Sequence, residues 1–295
     1  MATNIGKPPE AWRNYSTKFP IPAFRVKRDE LKRLYQIINA KQFEYRDRIL
    51  GTLSKMASET DDDFDARRQK VHSAFVTSVT ATGLNDEVVT GNSEDFFDSS
   101  SFPDHLKSIF FSTQTVPQAV LNFMPPCNVI AFLDFSRPPF LDFARLPTLP
   151  TPNESNFAIA ADDESWFAAT KTRLSQFFAD RRTSTNWLHQ AAIYDILLIL
   201  IGVPIGIWAA YRVGGLLNTA RIPQIVSAAL YIYVFVFALF VFRVLFSYSR
   251  WVFPKVELDS ELASPLRHRG IWGAILIGLV VSLLYDILNG RMFWN

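Results

Sequence analysis

Residues 191–213 read AAIYDILLILIGVPIGIWAAYRV, and residues 224–246 read QIVSAALYIYVFVFALFVFRVLF. Each is long enough to cross a hydrocarbon layer, which takes roughly 20 apolar residues at helical rise. The first holds only Asp195 and Arg212 as charges, and the second only Arg243. A third stretch, IWGAILIGLVVSLLYDIL at 271–288, holds only Asp286. One such run can be the buried helix of a soluble protein. Three in succession, the first two joined only by residues 214–223, predict an all-α membrane domain of three transmembrane helices over 186–295.

Lys and Arg near the ends of the runs set an expected orientation, because they are retained on the cytosolic side. Lys171, Arg173, Arg181, Arg182, Arg250, Lys255, Arg267 and Arg269 fall on the side of the N-terminal region. Arg212, Arg221 and Arg291 fall on the other. The imbalance predicts a multi-pass protein with its N-terminal domain in the cytosol. Trp187, Trp251 and Trp272 then lie at the cytosolic ends of the three spans, where indole rings prefer headgroup depth. With Arg181 and Arg182 they are the expected interface anchors, and Trp208 and Trp294 fall near the opposite face.

The first run is broken chemically by Gly202, Pro204 and Gly206. Proline removes a helical hydrogen bond and usually bends the helix. A kink packed against protein is the plain expectation, and a gating hinge the sharper one. Gly270, Gly273 and Gly278 let the third run approach another helix closely, within the chain or in a homo-oligomer. Asp195 and Arg243 fall at matching depths if the first two spans run antiparallel, so an intramembrane ion pair is expected there. Asp286 is an intramembrane charge at the outer end of the third span.

The rest of the chain is different in kind. Residues 1–55 hold 12 basic and 5 acidic side chains, residues 56–170 hold 6 and 17, and residues 171–189 hold 4 and 1. Such polarity predicts either that the basic stretch docks on the acidic one or that it faces an anionic surface. Residues 1–22, with Pro8, Pro9, Pro20 and Pro22, read as an irregular arm. Residues 23–185 read as a cytosolic α+β domain. A basic amphipathic helix is expected over Asp29–Met56, a second from the acidic run Asp61-Asp62-Asp63 to Ser73, and a third over Ser165–Arg182. Strands are expected at Ala23–Val26, Ala74–Thr82, Glu87–Thr90, Lys107–Ser112, Asn128–Phe135 and Asn156–Ala160. The segment between Ser136 and Asn153 carries five prolines, and Pro147-Thr148-Leu149-Pro150 matches a P-x-x-P core. It reads as a rigid surface loop, with a partner-binding motif as the rival.

Motifs of catalysis are missing. His72, His105, His189 and His268 are not in any metal-ligand spacing. Cys127 is the single cysteine, which excludes an intramolecular disulfide, and no base lies near it in sequence. No Gly-rich phosphate loop occurs, and nothing signals a cofactor, a metal or nucleic acid. The reading is a non-enzymatic integral membrane protein: a cytosolic domain that recognises a ligand or protein partner, anchored in the bilayer by three helices. One alternative is an oligomeric channel or pore-type effector gated by that domain. Another is a membrane-face enzyme of unfamiliar type.

Overall fold

The computed structural model describes residues 14–140, 145–219, 223–259 and 263–288, and the chain divides into two compact units. The first unit runs through Ser136 and adds Asn153–Thr183 and a short segment from Val256. The second holds Arg137–Pro152, Ser184–Lys255 and the last helix.

In the first unit, strands β1 (Tyr15–Pro20), β3 (Ser78–Gly83), β4 (Val88–Gly91), β5 (Leu106–Ser112), β6 (Asn128–Asp134) and β7 (Asn156–Ala161) form one antiparallel sheet in the order β1-β7-β6-β5-β3-β4. Side chains alternate between the faces of a strand, and the burial alternates with them. Val79, Ala81, Ile109, Phe111, Val129, Ala131, Phe157 and Ile159 are buried, whereas Thr80, Phe110, Ile130, Phe132 and Ala158 are partly exposed. The buried face joins one core with helices α1 (Arg28–Thr52) and α4 (Glu164–Ala179), through Leu31, Leu34, Ile38, Trp166, Leu174 and Phe178. Helix α2 (Asp61–Ala74) and the short α3 (Thr115–Leu121) complete the helical part.

The helix starts follow local chemistry. Glu30 accepts a hydrogen bond from the Lys27 N–H (2.9 Å), which ties down the first turn of α1. The Thr60 hydroxyl accepts from the Asp63 N–H, so Asp61–Asp63 form the first turn of α2, where acids suit the helix dipole. Asp163 caps α4 by accepting from the N–H groups of Ser165 and Trp166. The basic helix α1 docks within its own unit: Lys32 pairs with Asp98, Arg48 with Asp162 and Asp163, and Gln36 donates to Glu94.

Two elements differ from the sequence expectation. The arm assigned to 1–22 becomes strand over Tyr15–Pro20, while residues 1–13 lie outside the described residues. Its register puts Phe19 opposite Phe157, and Pro20 is tolerated because β1 is an edge strand. The second is a three-residue parallel pair, β2 (Phe24–Val26) with β8 (Val256–Leu258), where β8 comes from between the second and third apolar runs. Val256 and Leu258 are buried in the first unit's core, and Glu257 pairs with Arg25 at 3.1 Å.

In the second unit, α5 (Ile193–Leu197), a π-helical turn (Leu198–Gly202) and α6 (Val203–Thr219) follow one another, then α7 (Gln224–Val252) and α8 (Ala263–Leu288). Among the described residues, two segments are long and apolar enough to cross a membrane, Ile193–Gly214 and Gln224–Val252, where the sequence reading expected three. The third expected span is helical as α8, but side chains at several of its positions, Asp286 among them, lie outside the described residues. The disruption at Pro204 takes the form of the π-helical turn, which relieves the hydrogen bond that proline cannot make. A Cβ at Gly202 would stand 3.1 Å from the Phe242 ring, and one at Gly206 3.0 Å from Phe235, so both glycines serve close packing on α7. Among the described residues, a Cβ at Gly270, Gly273 or Gly278 would meet nothing within 4 Å.

Leu258→Ala in the intact chain should lower stability by about 2–5 kcal/mol, the usual cost of emptying a filled core position. Ile130→Ala, on the open face of the sheet, should cost clearly less. Thermal melts compare them, and a fragment ending at residue 182 should melt below the full chain because it lacks β8.

Candidate functional site

On α1, Glu30, Arg33 and Ile37 recur at helical spacing and share a face. On α4 and just beyond it, Arg173, Gln176, Phe177, Asp180 and Arg181 do the same. The two rows line an open groove of about 420 Å³. That volume lies within the range of small-ligand sites, roughly 300–1,000 Å³. Arg181 is held in place: its Nη1 donates to the Phe177 carbonyl (2.9 Å) and its guanidinium lies 3.9 Å over the Phe177 ring. Its Nε stands 2.8 Å from Glu30 Oε1 but out of line, and among the described residues this buried donor has no hydrogen-bond partner. Arg33 and Arg173 are exposed on the groove and make no hydrogen bond or ion pair among the described residues. Guanidinium groups arranged this way suit a carboxylate or phosphate, which can accept two parallel N–H bonds from one arginine.

The sequence reading treated Arg181 as a headgroup anchor; its side chain instead turns into this groove, with 13% of it exposed. Arg182 is exposed and its backbone bridges to Phe24. The groove itself was not anticipated, because it depends on the spacing between two helices far apart in sequence.

Cys127 is part of a second cluster. Its Sγ donates to Asp162 Oδ1 (3.0 Å), Arg48 donates to the same oxygen (2.7 Å), and the Arg48 guanidinium lies 4.9 Å over the Tyr45 ring. Burial, then the bond to Asp162, push the thiol up to about 12, so it is not a thiolate at neutral pH. Burial opposes ionisation of Asp162, but the bonds from Cys127 and Arg48 outweigh it and hold the carboxyl below its usual value. The cluster ties the C-terminal half of α1 to the start of α4 and to β6.

The second unit carries its polar groups at one end of α7. Arg250 is buried, and among the described residues no carboxylate bonds to it. It donates to four backbone carbonyls, those of Leu188 (3.1 Å), Pro147 (3.1 Å), Leu149 (3.0 Å) and Gln190 (3.4 Å). Beside it, buried His189 shares a 2.9 Å hydrogen bond with the Thr151 hydroxyl. The P-x-x-P segment is therefore bonded within its own unit through its backbone. Arg243 donates to the Arg145 carbonyl (3.3 Å), and no ion pair joins it to Asp195 among the described residues.

Of the expected anchors, Trp251 and Trp272 enter one aromatic cluster. Tyr248 stacks on Trp251, meets Trp272 and Phe140 edge-on, and shares a 2.9 Å bond with His268. Trp187 stands apart and is exposed.

Comparison with models of protein families, with characterised proteins and with solved structures found no match for this chain.

Burial, with the charges of Arg250 and Lys255, pushes His189 down to about 4 from 6.5. Between those values the unfolded chain binds a proton that the folded chain does not, so stability rises with pH across this window. Acidification from pH 6.5 toward 4 should cost up to roughly 3 kcal/mol through this residue. On acidification from pH 7 to 4 the melting temperature of the wild-type chain should fall further than that of His189→Asn, which has no imidazole to protonate on unfolding.

Proposed function

We propose that the chain is a membrane-anchored recognition protein. Its N-terminal α+β unit takes up a small ligand bearing an acid group in the α1–α4 groove, and its C-terminal helices hold it in the bilayer. The observation that carries the anchor is the uncovered apolar surface of α6 and α7. Ile199, Leu200, Ile207, Ile232, Tyr233, Val236 and Phe237 are all exposed, and none of the most apolar window of α7 is buried within the chain. A continuous apolar surface of that extent marks contact with lipid or protein. The observation that favours an acidic ligand is the pair of uncommitted arginines, Arg33 and Arg173, on the two sides of the groove, where Arg181 is already paired with Glu30.

In this reading α8 is the third span and the N-terminal unit lies in the cytosol. The Lys and Arg bias supports that orientation. So does β8: the segment between α7 and α8 supplies a strand to the N-terminal unit, which suits one side of the bilayer for both.

Three measurements test the anchor, its orientation and the groove. The protein should stay in the membrane pellet through alkaline carbonate. In a Cys127→Ser background, Ser100→Cys should resist an impermeant thiol reagent in intact cells while Asn295→Cys reacts; the reverse pattern overturns the orientation. For the groove, a calorimetric screen of phosphate- and carboxylate-bearing metabolites should find a ligand whose affinity falls about 10-fold or more in Arg33→Ala and in Arg173→Ala, the scale of one charged hydrogen bond. Binding that neither variant weakens places the ligand elsewhere.

A further inference from the structure

The proline-rich segment has an unusual division of labour between backbone and side chains. Five consecutive carbonyls all accept hydrogen bonds: Arg145 from Arg243, Leu146 from the Leu149 N–H, Pro147 from Arg250, Thr148 from the Ala192 N–H, and Leu149 from Arg250. Donors are scarce, because Pro147, Pro150 and Pro152 have no N–H, and the Leu149 and Thr151 N–H groups are bonded to Leu146 and His189. Meanwhile Leu146 is 67% exposed and Leu149 52% exposed. A loop built for water does the opposite: it hides its leucines and leaves carbonyls to the solvent. Irregular backbone at low polarity must satisfy its polar groups internally.

We propose that Arg145–Thr151 is an interfacial lipid-binding loop, lying at headgroup depth beside the last turns of α7 with Leu146 and Leu149 in contact with lipid. The inference rests on reading α7 as a membrane span. At about 1.5 Å per residue, the 29 residues of α7 extend roughly 43 Å, well beyond a hydrocarbon layer of about 30 Å. About 20 residues fill that layer. Residues 225–242 contain no charge, whereas Arg243, Ser247, Tyr248, Ser249, Arg250 and Trp251 crowd the end of the helix. Arg243 therefore marks the edge of the hydrocarbon, and the turns beyond it belong to the headgroup layer. The loop is bonded to α7 at Arg243 and again at Arg250, roughly 10 Å apart along the helix, so it is pinned across that layer. The cluster of Tyr248, Trp251 and Trp272 lies at the same level, where amphipathic rings accumulate. Phe140 is exposed and meets Tyr248 edge-on.

The test uses the full chain in liposomes, in a Cys127→Ser background, with a nitroxide attached to Leu146→Cys or Leu149→Cys. Ile232→Cys, in the middle of α7, and Ser100→Cys, in the N-terminal unit, serve as references. Collision with dissolved oxygen and with a water-soluble nickel chelate is read by power saturation. The loop labels should give an oxygen-to-nickel ratio above that of Ser100→Cys and below that of Ile232→Cys. If they match Ser100→Cys while Ile232→Cys reads as lipid, the loop faces water and this inference falls, with the membrane reading intact. If Ile232→Cys also reads as water, the membrane reading falls and takes the loop with it. Protection from both reagents would mean that protein covers the loop, which also overturns the inference.

Discussion

The disposal of the apolar surface on α6 and α7 constrains everything else in the second unit. Exposed apolar area costs about 25 cal/mol for each Å² in contact with water. Helix α7 presents Ile232, Tyr233, Val236, Phe237, Phe240 and Val241 along one face, and these are exposed among the described residues. Its opposite face packs on the α5–α6 segment, through Gly202 and Gly206, where missing side chains let Phe242 and Phe235 approach. That packing needs small residues, and the proline beside them is accommodated by one π-helical turn.

An apolar helix still has to end, and here the ending is carried by arginine. Arg243 and Arg250 lie on the last turns of α7, and the partners identified for them are carbonyls of the proline-rich segment and of the turn preceding α5. A guanidinium offers five donors and no acceptor, so it can serve several carbonyls at once. Proline suits the other side of this arrangement, since it offers a carbonyl without a competing N–H. Pro147, part of what looks like a partner motif in the sequence, thus has an internal use as an acceptor for Arg250.

The first unit solves a different problem, that of a strongly polarised charge distribution. Helix α1 is basic, yet its cations are spent mainly on acids of the same unit: Lys32 on Asp98, and Arg48 on Asp162 and Asp163. Such partly exposed pairs contribute little stability individually, roughly 0–1 kcal/mol, but they orient the helix on its sheet. What they leave over is informative. Arg33 and Arg173 face each other's helices across an open groove with no acid drawn onto them, and Arg181 is fixed among them by Phe177 and Glu30.

Much of this architecture was legible in the chain itself. Period-two alternation located β3, β5, β6 and β7, the acidic residues at Asp61–Asp63 and ahead of Ser165 located helix starts, and the apolar runs located α6 and α7, because each depends on contacts within one element. Strand β1 was readable in principle from Tyr15, Thr17 and Phe19 alternating with polar residues, but its prolines suggested an arm. Only the tertiary structure decided the rest. It gave β8 to the N-terminal unit and Arg137–Pro152 to the helical unit, against the order of the chain. It set two helix faces apart to make a groove, and it brought the Arg145 carbonyl within reach of Arg243. In each case the deciding contact joins residues remote in sequence, where strand edges and buried guanidinium groups take whichever partners the fold brings within hydrogen-bond reach. The sequence by itself determined which segments are strands, helices and apolar runs, because those follow from local periodicity and capping; it could not determine which distant segments meet.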